Sequence, residues 1–248
     1  MIFLKSKEEI SLMKEAGKLV YLTHQELKKY LKEGITTKEL DELAYRFIVK
    51  NGAKPSFKGY NGFPASICVS LNEELVHGIP KKRKLKNGDI ISIDIGVFYN
   101  GYHGDSAWTY AIGKISAKVL KFLKVAEKSL YAGIAKALVG NRLGDISFAI
   151  QEVIESEGFS VVRDYVGHGI GRNLHEEPPV PNFGIKGTGL RLKEGLTIAI
   201  EPMVCMGDFK VKTLNDGWTV VTEDKSLTCH FEHTVALTND GPVILTID

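Results

Sequence analysis

The sequence predicts an α+β fold built from two pseudo-symmetric halves. Three observations predict it. Helical periodicity precedes strand-like runs, and this order occurs twice along the chain. Residues 84–97 read KLKNGDIISIDIGV and residues 191–204 read RLKEGLTIAIEPMV, a constant offset of 191 − 84 = 107 that pairs Leu85 with Leu192, Gly88 with Gly195, Ile93 with Ile200 and Asp94 with Glu201. Leu40, Phe47, Ile48 and Gly52 answer Ile146, Val153, Ile154 and Gly158 at an offset of 146 − 40 = 106. Two matches at nearly one offset are hard to obtain by chance, even in Ile- and Gly-rich segments. The chain is therefore read as one domain over residues 1–248, with halves of about 1–113 and 114–248. Each half would set one carboxylate at an equivalent strand position, facing the other across the middle.

In chain order, Ile10, Met13, Ala16, Leu19 and Val20 recur at helical spacing, and Lys5, Glu8, Glu9, Lys14 and Glu15 fill the wet face. This helix is expected to run through Leu22, Leu27 and Leu31 and to stop at Gly34. Thr37 would cap a second helix through Leu40, Leu43, Phe47 and Ile48 to Gly52. Residues 65–71, 90–97 and 107–112 read as strands. Residues 116–139 read as a long helix, and another begins near Asp145 and ends at Gly158. Strands are expected near 159–165, 197–204, 219–222, 230–238 and 243–246. No low-complexity tract or linker interrupts this order.

Composition narrows the function classes. With 44% hydrophobic and 25% charged residues the chain is an ordinary globular one. A net charge of +2 is too small to argue nucleic-acid binding from global electrostatics. Cys68, Cys205 and Cys229 lie far apart without CxxC spacing and read as reduced thiols. Met1 to Leu4 is too short an apolar run for a signal peptide or a membrane span, so no membrane association and a cytoplasmic location are expected.

Five residues carry the chemistry: Asp94, Asp105, His168, Glu201 and Glu232. Most interrupt segments that otherwise read as buried strands, and no Lys or Arg stands in those runs to neutralise them. Burying several unpaired carboxylates costs many kcal/mol unless something positive is supplied. Strand alternation puts Ser92 and Asp94 on one face and Ile91, Ile93 and Ile95 on the other. The Asn100-Gly101 turn doubles the chain back and brings Asp105 alongside Asp94. Glycines flank His168 in Gly167-His168-Gly169-Ile170-Gly171, which permits close backbone approach. His175 follows seven residues later, before Glu176-Glu177-Pro178, as a second ligand or a hydrogen-bond donor. Glu201 and Glu232 would each be an ordinary salt-bridged Glu if they stood alone. Four carboxylates with one imidazole suit a pair of Mn, Fe, Co or Zn ions better than a structural zinc site. Such a pair activates water and polarises a carbonyl.

Val76-His77-Gly78-Ile79-Pro80, Asp94-Ile95-Gly96, Gly101 to Asp105, Gly167 to Pro178, Ile200 to Val204, Asp216-Gly217-Trp218 and Glu232-His233-Thr234, in this order, resemble the type I methionine aminopeptidases. The resemblance covers nearly the whole chain. It implies the pita-bread fold: two pseudo-symmetric halves, a central antiparallel sheet and helices packed on its outer face. It implies removal of the N-terminal methionine of nascent proteins when the second residue is small. Asp94 would chelate one metal and His168 the other, Asp105 and Glu232 would bridge them, and Glu201 would complete the second site. Glu201 would also carry the proton of the attacking water to the leaving amine. His175 would donate to the developing oxyanion, and His77 would contact the scissile amide. Tyr60, Phe63, Cys68 and Trp218, with Leu174, would form the methionine slot, together with His77 and His175 at its reactive end. Leu174 and Phe63 depart from the family, where an aromatic residue and a Tyr are expected, and both bear on slot width.

Only residues 176–200 lie between His175 and Glu201, whereas type II enzymes carry a large insertion there. No Cys/His-rich leader precedes Met1, so no added zinc module is expected. An Xaa-Pro peptidase of the same fold would need a further N-terminal domain, and the catalytic pattern begins at His77. A binding module that had lost catalysis would show replaced ligands, and all five are present. The basic run Lys81 to Lys86 reads first as a solvated loop and second as a transient ribosome contact. A monomer is expected.

Overall fold

The helices form where the apolar period and the caps coincide. In the computed structural model, which describes residues 1–248, α1 spans Lys7–Lys28 and α2 spans Thr37–Lys50. Both begin with a capping box, Ser6 with Glu9 and Thr36 with Glu39, which satisfies two otherwise orphaned backbone donors at each start. α3 (Ala117–Ile134) and α4 (Leu143–Glu155) repeat the pair in the second half. α1 stops at Lys28 rather than continuing to Gly34. Beyond it the chain turns, and the Gly34 N–H donates to the Leu85 carbonyl at 2.9 Å, which holds the segment away from a helical path.

Fourteen strands complete the fold, and every strand pair is antiparallel. In the first half β1 (Lys54–Pro55), β2 (Cys68–Leu71), β3 (Ile90–Tyr99) and β4 (Tyr102–Ala111) form one sheet around β3. In the second half are β5 (Ser160–Val161), β6 (Gly167–Gly169), β7 (Glu176–Val180), β8 (Thr197–Ile200), β9 (Met203–Cys205), β10 (Val211–Thr213), β11 (Val220–Thr222), β12 (Thr228–His230), β13 (His233–Thr238) and β14 (Gly241–Ile244). The five-stranded order is β14-β13-β8-β6-β7, and β12-β9-β5 and β10-β11 form smaller ladders. The expected central sheet is thus divided into several hydrogen-bonded ladders.

The two halves repeat in detail. Thr36 bridges Lys84, and Arg142 bridges Arg191. Gly34 donates to the Leu85 carbonyl and Gly140 to that of Leu192, and both glycines have left-handed φ, 93° and 94°. These equivalences keep the offsets 140 − 34 = 106 and 192 − 85 = 107. Each half has its own apolar core, one built on Ile91, Ile93 and Ile95 beneath α1 and α2, the other on Ile198 and Ile200 beneath α3 and α4. The halves are stitched where β4 meets the chain around β12 and β13. The Glu232 N–H donates to the Ala107 carbonyl at 2.9 Å, the Ser106 hydroxyl to the Glu232 carbonyl at 2.6 Å, and the Thr234 hydroxyl to the Asp105 carbonyl at 2.8 Å. This seam fixes two of the candidate ligands against each other.

Candidate metal centre

Asp94 stands on β3 opposite Cys68 of β2 and Ala107 of β4. Asp105 lies two residues before Ala107, so the pleat puts both carboxylates on one face. Asp105 is opposite Gly96, where a Cβ would come within 2.6 Å of the Phe57 ring. His168 sits between two glycines that no other residue could replace without moving backbone. A Cβ at Gly167 would lie 2.3 Å from the Ala199 carbonyl oxygen, and one at Gly169 would lie 2.2 Å from that of Glu177. The His168 Nδ1 lies 2.8 Å from the Gly169 carbonyl oxygen, which can only accept. The proton is therefore on Nδ1, and Nε2 keeps its lone pair toward the site, 3.7 Å from Glu201 and 4.0 Å from Asp105.

Glu201 follows β8 directly, and Asn182 pins its backbone carbonyl at 2.9 Å. Glu232 lies between β12 and β13 on the seam. Asp105, Glu201 and Glu232 are buried, and no Lys or Arg pairs with them or with Asp94. Burial foremost, with the neighbouring carboxylates, pushes the pKa values of Asp94 and Glu232 well above the usual range, and burial raises Asp105 and Glu201 to about 8. Asp94 Oδ1, Asp105 Oδ1 and Glu232 Oε1 are buried without any hydrogen-bond partner. Buried polar atoms are nearly always partnered, so three orphaned carboxylate oxygens on residues that line one cavity call for a cation.

All five expected ligands line one cavity of about 500 Å³, and so do His77, His175, Tyr60, Phe63, Cys68, Trp218 and Leu174. Phe63 and Trp218 meet edge to face at 5.1 Å. Cys68 is buried, and burial with the adjacent Asp94 holds its thiol protonated. His175 faces the cavity, with its ring 4.2 Å from that of His168 and its Nδ1 2.8 Å from the Tyr60 hydroxyl. His77 adopts a left-handed φ of 58°, uncommon outside glycine, and burial lowers its pKa to about 4.

One member of the site escaped the sequence reading. His230 is 2% exposed, its Nε2 has no hydrogen-bond partner, and that atom lies 3.3 Å from Glu201 and 4.0 Å from Glu232. It stands two residues before Glu232 in an extended run, so a period of two would have placed it on the same face.

The fold and this donor set define a class, a two-half α+β shell that gathers carboxylates and imidazole for divalent metal. The model of metallopeptidase family M24 matches residues 11–239. The chain is 61% identical to methionine aminopeptidase 1 of Bacillus subtilis over 246 residues, 99% of each chain, and 55% identical to a methionine aminopeptidase of Clostridium perfringens over 247. The crystal structure of methionine aminopeptidase from Thermotoga maritima superposes with a TM-score of 0.98 at 47% identity, over 100% of both chains. The prolidase of Pyrococcus furiosus, at 23% identity and a TM-score of 0.81, shares the fold. The chain belongs to metallopeptidase family M24, with its pita-bread fold, and within it to the methionine aminopeptidases.

Proposed function

We propose that this chain is a metal-dependent aminopeptidase that removes the N-terminal methionine of polypeptides whose second residue is small. The observation that carries the reading is the cluster of buried carboxylates with orphaned oxygens and no counter-cation, set beside an apolar slot. Membership of family M24 implies use of divalent metal. The residues fit it. Asp94, Asp105, His168, Glu201 and Glu232 would hold two ions, and Co, Mn, Fe or Zn would suit this oxygen-rich set. Bound ions would polarise the scissile carbonyl and lower the pKa of water from about 15.7 toward about 7.

The chain's own groups supply the rest. Glu201, held between the His168 and His230 imidazoles, takes the proton of the attacking water and returns it to the leaving amine. The Tyr60 hydroxyl lies 2.8 Å from His175 Nδ1; with the hydroxyl as donor the ring proton stands on Nε2, as a donor for the developing oxyanion. His77, neutral at pH 7, contacts the scissile amide. Phe63, Cys68, Trp218 and Leu174, with Tyr60, receive the thioether, for which aromatic and sulfur neighbours are favourable. Chelator-treated protein should release methionine from Met-Ala-Ser only when Co or Mn is restored, and metal-independent release or none at all overturns the reading. Anomalous scattering from protein purified without added metal identifies the ion.

We further propose a cytoplasmic monomer. No helix is long and apolar enough to cross a membrane. In the basic loop Lys81 pairs with Asp216 at 3.2 Å and Arg83 with Glu74 at 2.8 Å, which leaves Lys82, Lys84 and Lys86 for a ribosome contact. Charge reversal of these three should weaken ribosome binding in a salt-dependent way; unchanged affinity rejects the contact.

A further inference from the structure

We propose that Lys5 is a positioning residue for His175, acting through a buried ion pair with Glu176; the proposal rests on the catalytic role given to His175 above. Lys5 lies ahead of residues 11–239 matched by the family model. Its Nζ meets Glu176 Oε2 at 2.5 Å, with the two side chains 5% and 4% exposed. Every other Lys or Arg ion pair has its cation at least 42% exposed. Exposed pairs contribute little, whereas a buried pair is costly to form and far more costly to break by removing one partner.

Both ends of the pair are anchored. The Lys5 N–H donates to the Gly195 carbonyl at 2.7 Å, and its Nζ also donates to the Phe3 carbonyl at 3.0 Å. That ties the N-terminal segment to the turn that leads into β8 and Glu201. Glu176 Oε1 accepts the Asn173 N–H at 3.1 Å. One carboxylate thus grips the chain on both sides of His175, at its own position just after and at Asn173 two residues before. Gly171 makes room for the crossing, because a Cβ there would lie 2.5 Å from Lys5 Cε and 2.8 Å from both Lys5 Nζ and Glu176 Oε1. The Gly171 carbonyl in turn accepts the His103 N–H at 2.8 Å, which joins the loop to the strand that carries Asp105. His175 itself is held by a single side-chain hydrogen bond, to Tyr60, so its backbone must be fixed from elsewhere. A misplacement of about 1 Å at a reacting group can cost on the order of a hundredfold in rate.

The test is a double-mutant cycle. Lys5→Met alone strands a buried carboxylate and can unfold the loop, so the informative variant is Lys5→Met/Glu176→Gln, which removes both charges and keeps the volume. It should melt within a few degrees of the wild type and bind Co(II) at the same stoichiometry. Its kcat on Met-Ala-Ser should fall at least about tenfold, with KM within about threefold. In a His175→Ala background the same pair of changes should cost less than about twofold, because nothing remains to position. A kcat within twofold of wild type, or the same loss with and without His175, overturns the proposal while leaving His175 in its role. If His175→Ala alone leaves kcat unchanged, the role of His175 falls, and the proposal with it.

Discussion

His230 shows how a residue's neighbours decide its meaning. In the sequence it stands two residues before Glu232 and is not singled out. In the fold its Nε2 is orphaned and 3.3 Å from Glu201. Groups that orient metal ligands typically change metal affinity 10–100-fold when lost, so His230→Ala should weaken Co(II) binding by about that factor in a calorimetric titration, and an unchanged affinity would make it a packing residue. That Asp94, Asp105, His168, Glu201 and Glu232 belong together was legible because charge is conspicuous in a buried strand, and the five line one cavity. Phe63 entered as a proposed slot residue through the family resemblance alone, since a lone aromatic carries no positional signal, and it lines the same cavity. It is 3% exposed and packs against Trp218. Phe63→Ala should raise KM for methionyl substrates more than it lowers kcat, by on the order of tenfold, because the slot contributes binding common to ground and transition states. A loss confined to kcat would place the ring at the reacting atoms instead.

At the scale of elements, legibility followed the range of the forces involved. The four helices came through their local period, and the main errors are at their ends. Strands were harder where tertiary contacts define them. The run expected over 197–204 is broken into β8 and β9 by Glu201-Pro202, and that over 230–238 is broken at Phe231-Glu232. At both breaks the chain leaves the ladder where a candidate ligand is presented. The run expected over 159–165 retains only Ser160–Val161 as strand. Residues 65–67 are not strand either, since Asp41 captures the Ser66 and Ile67 N–H groups. β6 and β7, with sequences GHG and EEPPV, have no intrinsic strand signal and exist through pairings such as Gly169 with Glu176 and with Ile198. A related long-range contact sets α1 on β4. A Cβ at Gly104 would lie 2.8 Å from the Gly17 nitrogen and 2.9 Å from its Cα, both backbone atoms that cannot rotate away. Gly104→Ala should therefore destabilise the metal-free protein by about 1–3 kcal/mol in urea unfolding. It should also loosen metal binding at the adjacent Asp105; a cost below about 0.5 kcal/mol would mean that the helix slides freely on the sheet.

For the whole molecule, the site opposes folding until metal is bound. In the unfolded chain the four carboxylates titrate near 4; in the fold Asp105 and Glu201 rise to about 8, and Asp94 and Glu232 are also raised, all through burial first. Between these values the metal-free fold retains protons that the unfolded chain has released, so its stability falls as pH rises. The buried and half-buried histidines act in the opposite sense. Burial lowers His168 and His230 to about 3 and His24, His77, His103 and His233 to about 4, so they cost stability as pH falls below about 6.5, where the unfolded chain takes up protons. Only above about pH 7.5, a unit beyond the ordinary imidazole pKa, are the histidines nearly neutral in both states, so from there to about pH 8 the carboxylates act alone. Metal-free protein should lose about 1.4 kcal/mol per pH unit for each proton the fold retains over that interval, and its Tm should drop accordingly. Saturating Co or Mn replaces those protons, so the Tm of the loaded protein should hold nearly level while its gap above the metal-free protein widens toward pH 8. Scanning calorimetry of both forms across the interval measures this directly. A metal-free Tm that stays flat, with a gap independent of pH, would mean that the carboxylates are already ionised and partnered in the apo fold, and the electrostatic argument for the metal centre would fail with it.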